Sequence, residues 1–335
     1  MMVYNPSDVH LDRMLTNFSV GITNNELIGE RLIPSIPVAK QSDLYYRFNH
    51  ESWKPMSDIR APATEAAEIP GLTFARNPYY CHEHALRTRV SDEERANADS
   101  PITPDTDATE LVKNRVMLVK EREIAALVQN GVSPITGATF DTYDAGLTAS
   151  LTGNNRWDMK HDDNTPIDDL EVGMREIHKR LFREPNVGVF PYQVMHHLTN
   201  TQQFVDRVKY TRVDTRPKDL LASLVGIRRI LVPAAGYDKA PAGQLEDLGY
   251  IWGNHVALLY VAPRPGKKQP TFAYQFKWRN NNLLAGVYRW REQKTKSDLI
   301  QYGEYYDIKI ISVKNDETEA GRKSIAGYLI KDVIS

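Results

Sequence analysis

The chain has 335 residues, 41% hydrophobic and 25% charged, with 42 basic against 43 acidic side chains and a formal charge of −1. At about 150 residues per domain that allows two ordinary cores, and it excludes a disordered or collagenous chain and one drawn by net charge to nucleic acid or anionic lipid. No run of about 18 apolar residues suits a membrane helix, the start Met1-Met2-Val3-Tyr4-Asn5-Pro6 lacks a secretion signal, and the single cysteine, Cys81, supports neither an intrachain disulfide nor a thiolate zinc cluster.

Residues 1–40 read as an arm. Leu11, Met14, Leu15, Phe18 and Ile22 recur at helical spacing. Beyond Gly29, the apolar residues Leu32, Ile33, Ile36 and Val38 are punctuated by Pro34 and Pro37, whose missing N–H groups favour an extended path along a surface. The apolar content leaves two readings, an arm laid over another molecule or a segment packed on its own domain. Residues 41–90 read as an extended β-hairpin loop. Residues 44–48 and 72–86 are rich in β-formers, and about twenty residues between them carry Trp53, Pro55, Pro62 and Pro70. A loop that long is functional or disordered, and a lone two-stranded ribbon is marginal in water. Its expected place is against another subunit, with a mobile surface hairpin as the alternative.

Thr103-Pro104-Asp105 is a helix-start signature, and Asn130-Gly131 a stop. The stripe Ala108, Leu111, Val112, Val116, Val119, Ile124, Leu127 and Val128 predicts a buried face for a helix over 104–130, with Lys113, Lys120, Glu121 and Glu123 between the apolar positions. Residues 131–161 read as polar loops with a short strand or two. Thr165-Pro166 opens a second helix with the stripe Ile167, Leu170, Met174, Ile177 and Leu181, closed by Glu184-Pro185-Asn186. A buried strand is expected at 187–190, helical stretches around Val194–Leu198 and Phe204–Val208, and strands at 227–232, 250–252, 256–261, 271–278, 287–290, 305–313 and 328–333. Helices and strands mix without βαβ alternation, which makes the class α+β.

Signatures of chemistry are sparse. In a strand, Cys81 and Glu83 would face away from His82 and His84, so that cluster offers at most two metal ligands on one face. His196-His197 lacks the i, i+4 spacing of a metal pair, and His161-Asp162-Asp163 lacks the alternating oxygen ligands of a calcium loop. Nucleophile elbows and phosphate-cradling glycine loops are absent. No catalytic, cofactor-binding or metal-binding residue is therefore assigned, no cofactor is expected and the chain reads as a non-enzyme. Between Lys277 and Lys296, the cations Lys277, Arg279, Arg289, Arg291, Lys294 and Lys296 interleave with Trp278, Tyr288 and Trp290. That pattern suits nucleic-acid contact or, on paired strands, a solvated outer face or a salt-bridged contact between subunits.

The order of elements from Leu11 to Val333 resembles the major capsid protein of tailed bacteriophages, the Hong Kong 97-type capsid fold. The stretches carrying the resemblance are residues 37–45, the helix over 105–130, residues 168–198 with Glu184-Pro185-Asn186-Val187, residues 220–227, Tyr250-Ile251-Trp252-Gly253-Asn254, Leu258-Leu259-Tyr260-Val261 and Ala326-Gly327-Tyr328-Leu329-Ile330. The resemblance implies an arm at 1–40, an extended loop at 41–90, a peripheral domain at 91–165 with a spine helix at 104–130, and an axial domain at 166–276. Return strands of the peripheral domain at 277–315 and a C-terminal axial strand at 316–335 complete it. It implies a virion subunit that self-assembles, in the host bacterial cytoplasm, into hexamers and pentamers of an icosahedral shell around phage DNA. Its partners would be copies of itself, a portal, a separate scaffolding protein, a decoration protein and, weakly and without sequence preference, the packaged DNA, with no membrane. A separate scaffold, or a cleaved piece absent from this chain, is expected because the arm is too short for a fused one. Lys54 with Asn280, Asn281 or Asn282 would be the conceivable pair for an intersubunit cross-link of the kind some relatives form. The alternatives are another virion protein such as a tail-tube subunit, or a soluble enzyme with a non-local site.

Overall fold

The computed structural model describes residues 10–11, 27–46, 58–60, 65–66, 76–99, 102–159, 164–209, 216–240, 243–266, 269–279, 285–313 and 323–335. Among them, β1 (His10–Leu11), α1 (Gly29–Leu32), β2 (Ser35–Val38), β3 (Ser42–Tyr46), β4 (Arg76–Tyr80) and β5 (His82–Ser91) precede α2 (Asp92–Asn97) and the long helix α3 (Pro104–Gln129). After β6 (Thr148–Ser150) come α4 (Pro166–Leu181), β7 (Val187–Val189), α5 (Tyr192–Thr199), α6 (Gln202–Val208) and α7 (Pro217–Val225). The remaining strands are β8 (Arg229–Leu231), β9 (Gly236–Asp238), β10 (Leu248–Tyr250), β11 (Val256–Leu259), β12 (Ala273–Trp278), β13 (Ala285–Glu292), β14 (Ser297–Ile310) and β15 (Gly327–Lys331).

Helix α3 has Pro104 in its first turn, Asp105 and Asp107 at its positive end, and Asn130 in the left-handed region at φ 54° as its stop. Its 26 residues span roughly 39 Å. Ala108, Val112 and Val116 pack with Val287, Ile300 and Tyr302 of one sheet, while Ile124, Ala125, Leu127 and Val128 enter the main core around another. One rod thus ties two sheets together. The buried line follows the i, i+4 run 108, 112, 116, 120, 124, 128. Leu111, expected on that face, is instead 48% exposed, because it lies about 100° around the helix from Val112. Val119 is only half-buried.

The larger sheet has the order β1-β13-β14-β12-β2, with β5 also paired to β14. β14 runs back to Ser297, beyond the expected 305–313, since Gln301 and Glu304 interrupt the apolar pattern in its sequence. β2 pairs in parallel with β12, Ser35 opposite Gln275 and Val38 opposite Trp278. Pro37 is accommodated because β2 is the edge strand. Ile28, Leu32 and Ile33 are buried in the main core, so this part of the arm packs on its own chain. Leu11, expected on a helical face, belongs to β1, opposite Tyr288. Met14, Leu15, Phe18, Ile22, Trp53, Lys54 and Asn280–Asn282 lie outside the described residues.

The second sheet has the order β6-β15-β11-β7-β8, and α4 lies against β15 and β11. Ile167, Leu170, Ile177 and Leu181 form the buried side of α4. Gly173 permits the close approach: a Cβ there would lie 2.6 Å from the Tyr328 ring. β9 and β10 form a separate two-stranded ribbon. β12 spans the expected 276/277 limit, and β6, from the segment expected in the peripheral domain, pairs with β15, from the segment expected in the axial one.

Candidate assembly surfaces and their anchors

The hairpin base is bonded to the body by aromatic packing. β3 and β4 pair antiparallel, with Leu44 opposite Pro78 and Tyr45 opposite Asn77. Alternation sends Tyr45 and Tyr79 inward, where their rings lie 5.4 and 4.7 Å from that of Phe276. It sends Leu44, Pro78 and Tyr80 outward, with Leu44 52% and Tyr80 48% exposed. The Tyr80 N–H donates to Asp307 Oδ2 at 2.9 Å, which fixes the ribbon to β14. Cys81 lies between β4 and β5, fully buried, and its Sγ–H donates to the Phe276 carbonyl at 3.4 Å. Burial, then the Asp307 charge, pushes the thiol up to about 11. His82 meets the Tyr80 ring edge-on and His84 stacks on Tyr306. No group of three or more His, Cys, Asp or Glu that could hold a metal occurs among the described residues. His196 is exposed and His197 half-buried on α5, and 161–163 lie outside the described residues.

A carboxylate and a four-charge cluster hold the N-terminal segment onto α3. Glu121 accepts from the N–H groups of Ile28 (3.1 Å) and Gly29 (2.7 Å) and from Trp252 Nε1–H (2.8 Å), so it serves as a remote cap for α1. Burial raises its pKa, although all three donors oppose that shift. One residue earlier, Lys120 Nζ contacts Glu30 Oε1 at 2.7 Å and Glu304 Oε1 at 3.0 Å, while Lys277 Nζ lies 2.9 Å from Glu30 and 3.4 Å from Glu304. Four elements, α1, α3, β12 and β14, meet at these charges. Burial pulls the Lys120 ammonium below its ordinary value. Against burial, Lys120 and Lys277 hold Glu30 down at about 2, and Glu304 and Glu30 hold Lys277 above its usual value. Sequence spacing offered one signal for this cluster, that Lys120 falls on the i, i+4 line of buried positions.

A second ionic group sits where α2 and α3 meet the large sheet. Arg95 contacts Asp105 at 2.7 Å and Asp298 at 3.0 Å; Arg289 pairs with Asp298, and Arg291 with Asp92 and Asp298. Three of the six cations between Lys277 and Lys296 are therefore paired within the chain, and the Trp278 Nε1–H donates to the Ala39 carbonyl. None of the three readings of that stretch named pairing within the chain, which is what the described contacts of Lys277, Arg289 and Arg291 show.

The chain mixes helices and sheets in an α+β fold that it shares with phage proteins among the solved structures. A phage-related protein from Bordetella bronchiseptica RB50 superposes with a TM-score of 0.70 at 24% identity, covering 96% of this chain and 97% of that one. The bacteriophage PhiM1 mature capsid gives a TM-score of 0.53 at 12% identity over 99% and 91% of the two chains. In sequence, the chain is 24% identical over 279 residues to the major capsid protein of Burkholderia phage BcepMu, covering 82% of this chain and 85% of that relative. No family model matches.

Proposed function

We propose that this chain is the building block of a phage head shell, a structural protein whose output is geometry. The observation that carries the reading is the end-to-end similarity to a major capsid protein, 82% of this chain against 85% of the relative, together with a fold shared with assembled capsids. On this reading the larger sheet with α3 is the peripheral domain, the five-stranded sheet with α4 is the axial domain, and the hairpin that β3 and β4 open reaches a neighbouring copy, while β5, at the end of the expected 41–90 loop, belongs to the larger sheet. Support for that contact comes from its outward face, where Leu44, Pro78 and Tyr80 expose apolar surface on a base fixed by Phe276 and Asp307. Copies associate as hexamers and pentamers, and each closes several moderate interfaces that the shell multiplies. A portal, a separate scaffolding protein and a decoration protein are the other proposed protein partners, packaged DNA is the proposed content, and the virion, assembled in the host cytoplasm, is the proposed location. No helix among the described residues is long and apolar enough to cross a membrane. The tail-tube alternative is disfavoured by the capsid neighbours.

Sedimentation velocity of the expressed protein tests this reading. Material in capsomers or closed shells is the expected result, with Leu44→Glu/Tyr80→Glu protein remaining folded but reverting to small species. A monomeric wild-type protein that turns over a small molecule would overturn it.

A further inference from the structure

A cleft of about 450 Å³ opens between α1 and the loops beside β7, β8 and β11, lined by Arg31, Arg228 and Arg229 over an apolar floor of Val187, Val261 and Ala262. Its volume falls in the range of about 300–1,000 Å³ usual for ligand clefts. No carboxylate among the described residues lines it. In this Arg228 and Arg229 differ from the arginines at the α2–α3 junction, where Arg95, Arg289 and Arg291 each meet an aspartate. The floor has no N–H to offer, because Val261 N–H donates to Asn186 Oδ1 at 2.8 Å and Ala262 N–H to Thr271 Oγ1 at 3.2 Å. Arg229 is held in place by donating from Nη2 to the Arg31 carbonyl at 2.8 Å. Burial, and then the charges of Arg31 and Arg228, push the Arg229 guanidinium below its ordinary pKa. Arg228 and Arg229, both exposed, thus place like charges beside one concave space, a repulsion that water screens in part and that a bound anion would relieve.

We propose that this cleft is a phosphate-binding site, with Arg228 and Arg229 gripping the oxyanion. Guanidinium forks match phosphate oxygens two at a time, and a tetrahedral phosphate offers acceptor oxygens to more than one fork, whereas a lone carboxylate is satisfied by one. The apolar floor lowers the local dielectric and strengthens those charge-assisted bonds. The cleft has room for the remainder of an ester behind the phosphate. Two sources carry that chemistry, free phosphate or pyrophosphate and the backbone of a nucleic acid; the second rests on the shell reading, the site itself does not.

The test uses the full chain in the oligomeric form in which it purifies, at low salt. Inorganic pyrophosphate is titrated by calorimetry and by thermal unfolding, and a short oligothymidylate is titrated in parallel. Wild-type protein is expected to bind pyrophosphate and to melt higher in its presence. Arg228→Gln should bind about tenfold more weakly, the loss of roughly one charge-assisted hydrogen bond, and should melt higher than wild type without ligand because a repulsion is gone. Lys294→Gln, a cation outside the cleft, should bind as wild type does. Competition between the oligonucleotide and pyrophosphate would assign the site to nucleic-acid phosphate, and binding of pyrophosphate alone would assign it to free phosphate. Wild-type protein that ignores pyrophosphate, Arg228→Gln that binds it unchanged, or a polyglutamate peptide that binds more tightly would each overturn the proposal.

Discussion

Replacing Glu121 should loosen the N-terminal segment from the body. In Glu121→Ala, the N–H groups of Ile28 and Gly29 and the Trp252 indole N–H lose the acceptor they share. Each buried donor left unmade costs about 1–3 kcal/mol, so three could cost about 6. Two effects reduce that figure: removing a carboxylate whose burial is itself unfavourable, and water entering the space left by the side chain. We expect a net loss of about 3 kcal/mol, and about half of it in Glu121→Gln, which keeps one acceptor oxygen. Guanidinium unfolding of dissociated subunits measures the loss, and Trp252, buried at 2% exposure, reports the site through its fluorescence. Faster hydrogen exchange at Ile28 and Gly29 should accompany the change. A loss below about 1 kcal/mol in the alanine variant, with unchanged exchange at those amides, would refute the idea that Glu121 fastens the segment.

Leu127→Asp should abolish soluble expression, since it puts an unpaired charge at a 6% exposed core position, whereas Leu111→Asp should fold and express; equal insolubility of the two would show that the buried line of α3 is misplaced. Glu30 is held at about 2 from an ordinary 4.5, so its contribution is fully present above pH 4.5 and is lost as the pH falls toward 2. Because Glu30 is half-exposed, screening cuts that contribution to about 1 kcal/mol, and Glu30→Gln should flatten the stability–pH curve across that window. Glu123 moves the other way: burial, then Asp307, raises it to about 7, and its Oε2 has no hydrogen-bond partner among the described residues. Its ionisation therefore costs nothing below pH 4.5, and the cost grows as pH rises through 7. Glu123→Gln should gain about 1–2 kcal/mol at pH 8 and nothing at pH 4, and an equal gain at both would remove the ionisation argument.

Local signals in the sequence carried much of the fold. The proline caps at 104 and 166 and the stop at Asn130 located both starts and the end of α3 to within a residue or two, because capping is decided by neighbours in sequence; α4 ends at Leu181, three residues before the expected stop at Glu184-Pro185-Asn186, with Phe182 in the left-handed region as its cap. Leu111 misled because a count of apolar residues does not settle which of two adjacent angular positions faces a sheet. The arm resisted for another reason: whether Leu32 and Ile36 cover this chain or a neighbouring copy depends on the parallel pairing of β2 with β12, about 240 residues away along the chain. Lys120 and Glu121 fall between the apolar positions of α3, and Glu304 precedes the expected strand at 305–313; burial of a charge is made tolerable only by partners that tertiary structure brings in. The same holds for Arg289 and Arg291, whose aspartates come from α2 and β14. Arg228 and Arg229 show the converse, cations that meet no carboxylate among the described residues lining the cleft, which emerges only once the chain is folded.

Electron cryomicroscopy of the particles formed by the expressed protein tests the central claim most directly. We expect closed shells of hexamers and pentamers whose subunit density fits the two sheets and α3, with the Leu44–Tyr80 face of the ribbon seated on the adjacent copy. Open tubes, or single subunits with that face turned to solvent, would contradict the account.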